Sequence, residues 1–313
     1  MAFQNVSTPR FYVNVLEWLF TTEAIGFFRD IYRTLPVNQE HGSLIFGGNN
    51  YDAGNISTLG LLDNKSFMAI LGHDISPPNG FHVAGPSGDL QPLVNFDNYT
   101  PPYKGFSMAT FDGTGTETIE FWVGDTDPVN KVGSVVIGTY YDMAHSPNLS
   151  LSVGCDYGKP KETITHNGSS ISNTMWTKPP MWGGKPPWEL YEGSMWESPR
   201  RSGRRTWDMK FSFLSSSSVF SEVSSINAFE SLSPEGDFYA DPLGNTLLDD
   251  QTSFFSQVWH KTLGGTLPFI FQPDKDNNNP DQFAICMFKN SSLKIVQSAF
   301  QVYDISLSIE EVW

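Results

Sequence analysis

Cysteine is almost absent from this chain: two among 313 residues, Cys155 and Cys286. Two thiols so far apart form neither a disulfide framework nor a zinc motif, and the expectation is a pair of buried free cysteines. Positive charge is also scarce. Nineteen Lys and Arg stand against 34 Asp and Glu, for a net charge of −15. That sign disfavours binding to a nucleic-acid backbone or to an anionic membrane surface. Long apolar runs are missing: none approaches the ~18 residues of a membrane-spanning helix. The N-terminus, MAFQNVSTPR, lacks the basic stretch followed by an apolar one that marks a secretion signal. Charged residues are few overall, 17%, while 39% are hydrophobic, which supplies a large core and excludes a generic disordered chain.

Catalytic signatures are missing as well. The six histidines, at 41, 73, 82, 145, 166 and 260, form no HExxH pattern or other convergent ligand set. There is no G-x-S-x-G elbow, no phosphate-binding Walker loop and no dinucleotide fingerprint. Asp274, Asp276 and Asn278 imitate the start of a calcium loop. The sixth position, however, is Asn279 rather than glycine, and the twelfth is Ile285 rather than a bidentate glutamate, so a solvated hairpin loop is expected. Glycoside hydrolysis needs two facing carboxylates. Glu117 and Glu120 point to opposite faces of a strand, and Asp125 and Asp127 fall in a turn before Pro128. The reading is a non-enzyme with no cofactor and no metal.

What is abundant is aromatic: 24 Phe, 11 Tyr and 9 Trp. From Gly42 to about Ser172, short apolar runs (Phe67–Leu71, Thr118–Val123, Val132–Tyr141) alternate with turn signals such as Pro77-Pro78-Asn79-Gly80, Asp112-Gly113 and Asn167-Gly168. This is the pattern of a β-sandwich or jelly roll. Residues 11–20 read as a strand or mixed segment, and 21–35 as a short helix. After position 205, residues 206–214 alternate, with Trp207, Met209, Phe211 and Phe213 on one face. Helices are expected over 218–232, capped by Ser218, and over 253–263, capped by Ser253 and closed by Gly264-Gly265. Strands are expected at 266–272, 283–289 and 293–310. The expected fold is mainly β: a sandwich or jelly-roll-like domain at 1–175 and a mixed β domain with two short helices at 206–313.

Between them, residues 176–205 carry Trp176, Trp182, Trp188, Trp196 and five prolines, which rules out a central strand. Four indoles do not suit a solvated linker. An ordered arm is expected, lying on its own domain or on a neighbouring subunit. It ends in Arg200, Arg201, Arg204 and Arg205, with Gly203 placed for a sharp turn into the next strand. Residues 159–210 hold nine basic and five acidic groups in an otherwise acidic chain. Arginine favours bidentate pairing with carboxylates, so these four arginines and the four tryptophans are the candidate interface residues.

Four segments resemble bacteriophage tail and baseplate proteins: VGSVVIGTYYD at 132–142, SPNLSLSVG at 146–154, the stretch from Gly203 to Phe211, and the closing run FAICMFKNSSLKIVQSAFQVYDISLSIEEV. Together they cover roughly residues 130–313, and within those proteins the layout resembles the distal tail family, the tail-tube adaptors. The resemblance implies a virion structural protein assembled in the host cytoplasm. It implies a homo-oligomeric, hexameric ring between the tail tube and the baseplate or fibres, bound to other tail proteins. It implies no membrane contact and no sequence-specific nucleic-acid binding, with DNA passing through the lumen. Two other readings remain. One is a carbohydrate-binding module using Trp122, Trp182 or Trp188 as a platform; the other is a glycan-degrading enzyme.

Overall fold

The structure is a computed structural model. It describes residues 6–21, 44–46, 53–57, 61–73, 75, 81–84, 89–97, 101–116, 118–123, 130–158, 161–173, 203–220, 253–289 and 293–312. In chain order the strands are β1 (Arg10–Asn14), β2 (Leu44–Phe46), β3 (Ala53–Ser57), β4 (Ser66–His73), β5 (Phe81–Ala84), β6 (Gln91–Val94), β7 (Gly105–Phe111), β8 (Thr118–Val123) and β9 (Asn130–Val132). They continue as β10 (Ser134–Asp142), β11 (Ser152–Asp156), β12 (Lys161–Ile164), β13 (Ser170–Asn173), β14 (Arg204–Ser215), β15 (Phe269–Gln272), β16 (Ala284–Phe288), β17 (Lys294–Ala299) and β18 (Val302–Glu311). Helical structure is brief: α1 (Val15–Thr21), α2 (Ser216–Val219), a π-helical turn at Phe255–His260 and a 3-10 turn at Pro280–Gln282.

The fold is mainly β, as its aromatic and β-branched runs require. Ten strands lie side by side in the order β11-β14-β18-β16-β15-β1-β10-β4-β7-β6, and β17 pairs with β18 to complete an eleven-stranded sheet. Every pairing in it is antiparallel. Strands from both sides of the Trp/Pro-rich segment share this sheet. β1 is hydrogen-bonded on one edge to β10 and on the other to β15, so Phe11 stands between Tyr141 and Phe271. The separation into 1–175 and 206–313 expected from the sequence therefore does not divide the sheet. An apolar strand such as FYV needs partners on both edges and cover on both faces, and residues from the two halves supply them.

Alternation sorts the core onto two faces. One face carries Phe11, Phe269, Phe271, Trp207, Phe211 and Ile309, over which Phe254 and Val258 of the helical segment pack. The other carries Tyr12, Phe67, Val136, Ile270 and Ile285. On this second face the rings of Phe106, on β7, and Phe283, entering β16, lie 5.9 Å apart. Four strands separate β7 from β16, a span of about 24 Å in a flat sheet. The sheet is therefore rolled, with the Tyr12–Phe67–Phe106–Phe283 face on the inside. One position shows how tight the layers are. A Cβ on Gly138 of β10 would lie 1.8 Å from the Val13 carbonyl oxygen, so only glycine fits beside β1.

A buried polar seam joins the helical segment to the sheet. Lys261 Nζ donates to Thr139 Oγ1 at 3.1 Å and to Gln257 Oε1 at 2.9 Å. Burial pushes the Asp63 carboxyl up, while the charge of Lys261 draws it down.

Several local expectations hold. Ser253 caps the segment at 253–263 by accepting from the Ser256 N–H at 3.2 Å, and Gly264 and Gly265 close it at positive φ. The loop at 274–281 joins β15 to β16, an antiparallel pair. Others need correction. The single strand expected over 293–310 is two strands, turned at Phe300–Gln301. The helix expected from Ser218 begins earlier, because Ser215 is the cap, and α2 is one turn that leaves into extended backbone at Phe220. Residues 221–232 and the helix expected over 21–35, from position 22 onward, lie outside the described residues. Cys286 is buried as expected but Cys155 is exposed, because β11 stands at the end of the described sheet.

Glu17 in α1 gives a first prediction. Its backbone N–H donates to Asn14 Oδ1 at 3.2 Å, a helix-start bond that holds the residue in place. Its side chain is buried, and burial pushes the carboxyl up to about 7. With the folded pKa above the unfolded one, the group's contribution is fully present below the unfolded value of 4.5 and is lost as pH rises through about 7. Glu17→Gln is expected to raise stability at pH 8 by roughly 2 kcal/mol and to change it little at pH 4. Urea titrations at the two pH values check this, and equal effects at both would contradict it.

Candidate interaction surface

The candidate residues of the 176–205 arm separate at Gly203. Trp176, Trp182, Trp188, Trp196, Arg200 and Arg201 lie outside the described residues, and so does the side chain of Trp122. Gly203, Arg204 and Arg205 open β14. Gly203 has φ +81, and a Cβ there would meet Cys155 Sγ at 2.6 Å, so glycine is needed for the sharp entry. Arg204 is half-buried opposite Asp156 of β11.

Arg205 pairs with a carboxylate of its own chain. It comes one residue before Thr206, which pairs with Glu310 at the end of the β14–β18 register, and so lies beside Glu311. Its NH2 donates to Glu311 Oε1 at 2.9 Å, while its Nε and its backbone N–H both donate to Oε2 at 3.0 Å. NH1 also donates to the Asp281 carbonyl and NH2 to the Phe283 carbonyl, each at 2.6 Å. Both side chains are buried, and the guanidinium lies 5.4 Å from the Trp207 ring centroid. The arrangement clamps β14, β18 and the turn before β16 together. Trp207 next to it is fully buried and meets Phe271 edge-on at 5.2 Å.

Two other regions are exposed and apolar. The first is the hairpin β12–β13. Thr163 stands opposite Ile171, and Ile164 opposite Ser170. Neighbouring positions on a strand point to opposite faces, so each face of this ribbon carries one isoleucine. Ile164 is 75% exposed and Ile171 59%. The turn is built by the Asn167-Gly168 signal: Gly168 has φ +77 and its N–H donates to the Thr165 carbonyl at 2.9 Å, while the Thr165 N–H donates to the Ser169 carbonyl at 2.8 Å. A two-stranded ribbon with both faces wet is marginal by itself in water.

The second region lies around the C-terminal end of β14. The alternation expected to bury Phe213 with Trp207, Met209 and Phe211 breaks there. The β14–β18 register shifts between Phe211 and Leu214, Leu214 takes the buried place, and Phe213 turns outward at φ +65 with 81% of its surface exposed. A bulge that re-aims a side chain in this way carries backbone strain for a bulky residue. The Phe213 N–H donates to Asp304 Oδ1 at 3.3 Å, and Lys210 Nζ lies 3.1 Å from Asp304 Oδ2. On the β17 side, Val296, opposite Asp304, and Phe300, in the turn, are exposed. On the other side is fully exposed Leu149. Its neighbour Asn148 is tied to β14, with its N–H on the Lys210 carbonyl at 2.8 Å and its Nδ2 on Ser212 Oγ at 3.0 Å. Sequence reading missed both regions. The Asn-Gly turn was visible for the hairpin, but nothing in the alternation of 206–214 marks where the bulge falls.

Among the described residues, no group of three His, Cys, Asp or Glu side chains could hold a metal ion, and no helix is long and apolar enough to cross a membrane. Compared with known protein families, curated proteins and solved structures, the chain matches none.

Proposed function

We propose that this chain is a structural subunit of a bacteriophage tail, forming or joining a ring between the tail tube and the baseplate or fibres. One observation carries the reading beyond the sequence resemblance. The four segments that resemble tail proteins fall on strands of one sheet: 146–154 leads into β11, 203–211 opens β14, and 283–312 spans β16 to β18, so that β11, β14, β18 and β16 stand in succession, with β10 from 132–142 three strands further on. Three of the four resembling segments thus lie side by side, and the fourth stands in the same sheet. Exposed apolar side chains around the C-terminal end of β14 and on the β12–β13 hairpin suit a subunit whose surface is completed by others. A ring of such acidic chains would present a negative lumen that repels DNA phosphate and lets it pass.

The test is the native mass of the purified full-length chain, followed by particle images. A closed oligomer of several copies is expected. A chain that stays monomeric both alone and with tail proteins from the same particle, or that binds glycans as a monomer, would overturn the proposal.

A further inference from the structure

We propose that the β12–β13 hairpin of one copy docks on the row Leu149, Phe213, Val296 and Phe300 of a second copy, a head-to-tail contact between identical chains. The inference rests on the reading of the chain as an assembling subunit and adds which surfaces meet.

Geometry supports it first. β11 runs antiparallel to β14, with Asp156 opposite Arg204 and Ser152 opposite Asp208. The chain therefore leaves β11 at the Arg204 end of β14 and enters the hairpin five residues later. Phe213 stands nine residues along β14 from Arg204, roughly 30 Å away at the rise of a strand. The end of β11 from which the chain runs to the hairpin and the apolar row thus lie toward opposite ends of one strand. Two different patches on one chain make a heterologous contact, which closes into a ring or continues as a filament.

Chemistry supports it second. The hairpin, 161–173, carries one lysine and one glutamate and is otherwise Ser, Thr, Asn, Gly, Ile and His. Beside the apolar row Lys210 and Asp304 form an ion pair, and exposed Lys294, two residues before Val296 on the same face of β17, leaves one net positive charge. Two copies of net charge −15 repel, and these two nearly neutral surfaces are where they can approach without bringing like charges together. A ribbon with an isoleucine on each face is also built to be covered on both sides, as in a cleft between subunits, and the strained bulge at Phe213 holds an aromatic anchor outward for such a partner.

The test uses the full chain with its exposed thiol removed, C155S. One preparation carries I164C and another F300C. They are mixed and oxidised with copper–phenanthroline, which takes two hydrogens from the facing thiols to form the disulfide. A mixed disulfide dimer at least tenfold more abundant than either homodimer is expected. I164D combined with I171D is expected to leave the melting temperature unchanged, since both positions are solvent-exposed in the single chain, and to weaken self-association at least tenfold. Abundant I164C homodimers would show hairpin meeting hairpin and overturn the proposal. An oligomeric native mass with no mixed disulfide and no effect of the aspartates would overturn the docking while leaving the ring reading intact. A one-chain mass at every concentration would remove both.

Discussion

Arg205→Ala is expected to cost about 3–5 kcal/mol of folding stability, the scale of a buried ion pair broken from one side. The reason is what the substitution leaves behind. Glu311 is almost wholly enclosed, and the guanidinium donates to both of its carboxylate oxygens. The carbonyls of Asp281 and Phe283 would lose the donors at 2.6 Å as well. A buried carboxylate stripped of its guanidinium and the buried Phe283 carbonyl are shut off from water that could replace those donors. Replacing both partners by apolar residues of similar volume, Arg205→Met with Glu311→Leu, is expected to recover most of the loss, because the cost of desolvating two charges disappears with them. The pair Lys210–Asp304 is the control: the Lys210 end is exposed and Asp304 keeps the donors Phe213 N–H and Ser298 Oγ, so Lys210→Ala is expected to cost less than about 1 kcal/mol. Urea unfolding of the variants measures each. A loss below ~1 kcal/mol for Arg205→Ala would show that the clamp does not hold the sheet.

Some of this architecture was legible in the sequence, and the reason differs from element to element. β14 and β18 show a clean two-residue period because one of their faces lies on the core and the other does not, so Trp207, Met209, Ile305, Leu307 and Ile309 could be placed by counting. The close at Gly264-Gly265 and the cap at Ser253 were legible because local backbone chemistry fixes them. Phe213 was not, since a bulge is a decision of two paired strands and the partner's register is invisible in one strand's pattern. The shared sheet was not legible for the same reason on a larger scale: nothing local says that β1 will stand between β10 and β15, more than a hundred residues away on either side of the arm. Arg205 was visible as an arginine wanting a carboxylate. Which carboxylate, and that it lies in the same chain, depends on the register that pairs the next residue, Thr206, with Glu310 and so brings Arg205 beside Glu311.

His73 stands on a strand that is buried on both faces. Its Nε2 lies 2.8 Å from Ser107 Oγ, and Ser107 is itself held by Asn95, whose carbonyl oxygen accepts from Ser107 Oγ at 2.8 Å. Burial drives the imidazole pKa down to about 3, against a smaller upward pull from a hydrogen bond with the Ile75 backbone. The folded value lies below the unfolded one of 6.5, so between these limits the unfolded chain binds a proton that the folded chain refuses. Stability from this group is therefore whole above pH 6.5 and is lost as pH falls toward 3, with a slope of about 1.4 kcal/mol per pH unit and a total of roughly 4 kcal/mol. Glu17 acts with the opposite sign over part of the same range, so the two residues have to be separated by substitution. His73→Gln keeps a hydrogen-bonding side chain and removes the proton site. It is expected to lower stability modestly at pH 7 and to flatten the acid limb, so that the variant overtakes the parent below about pH 5. Unfolding titrations at half-unit steps from pH 7 to pH 4 decide it. Parallel curves for parent and variant would mean that acid sensitivity lies elsewhere and that the His73 ring takes up its proton without leaving the fold.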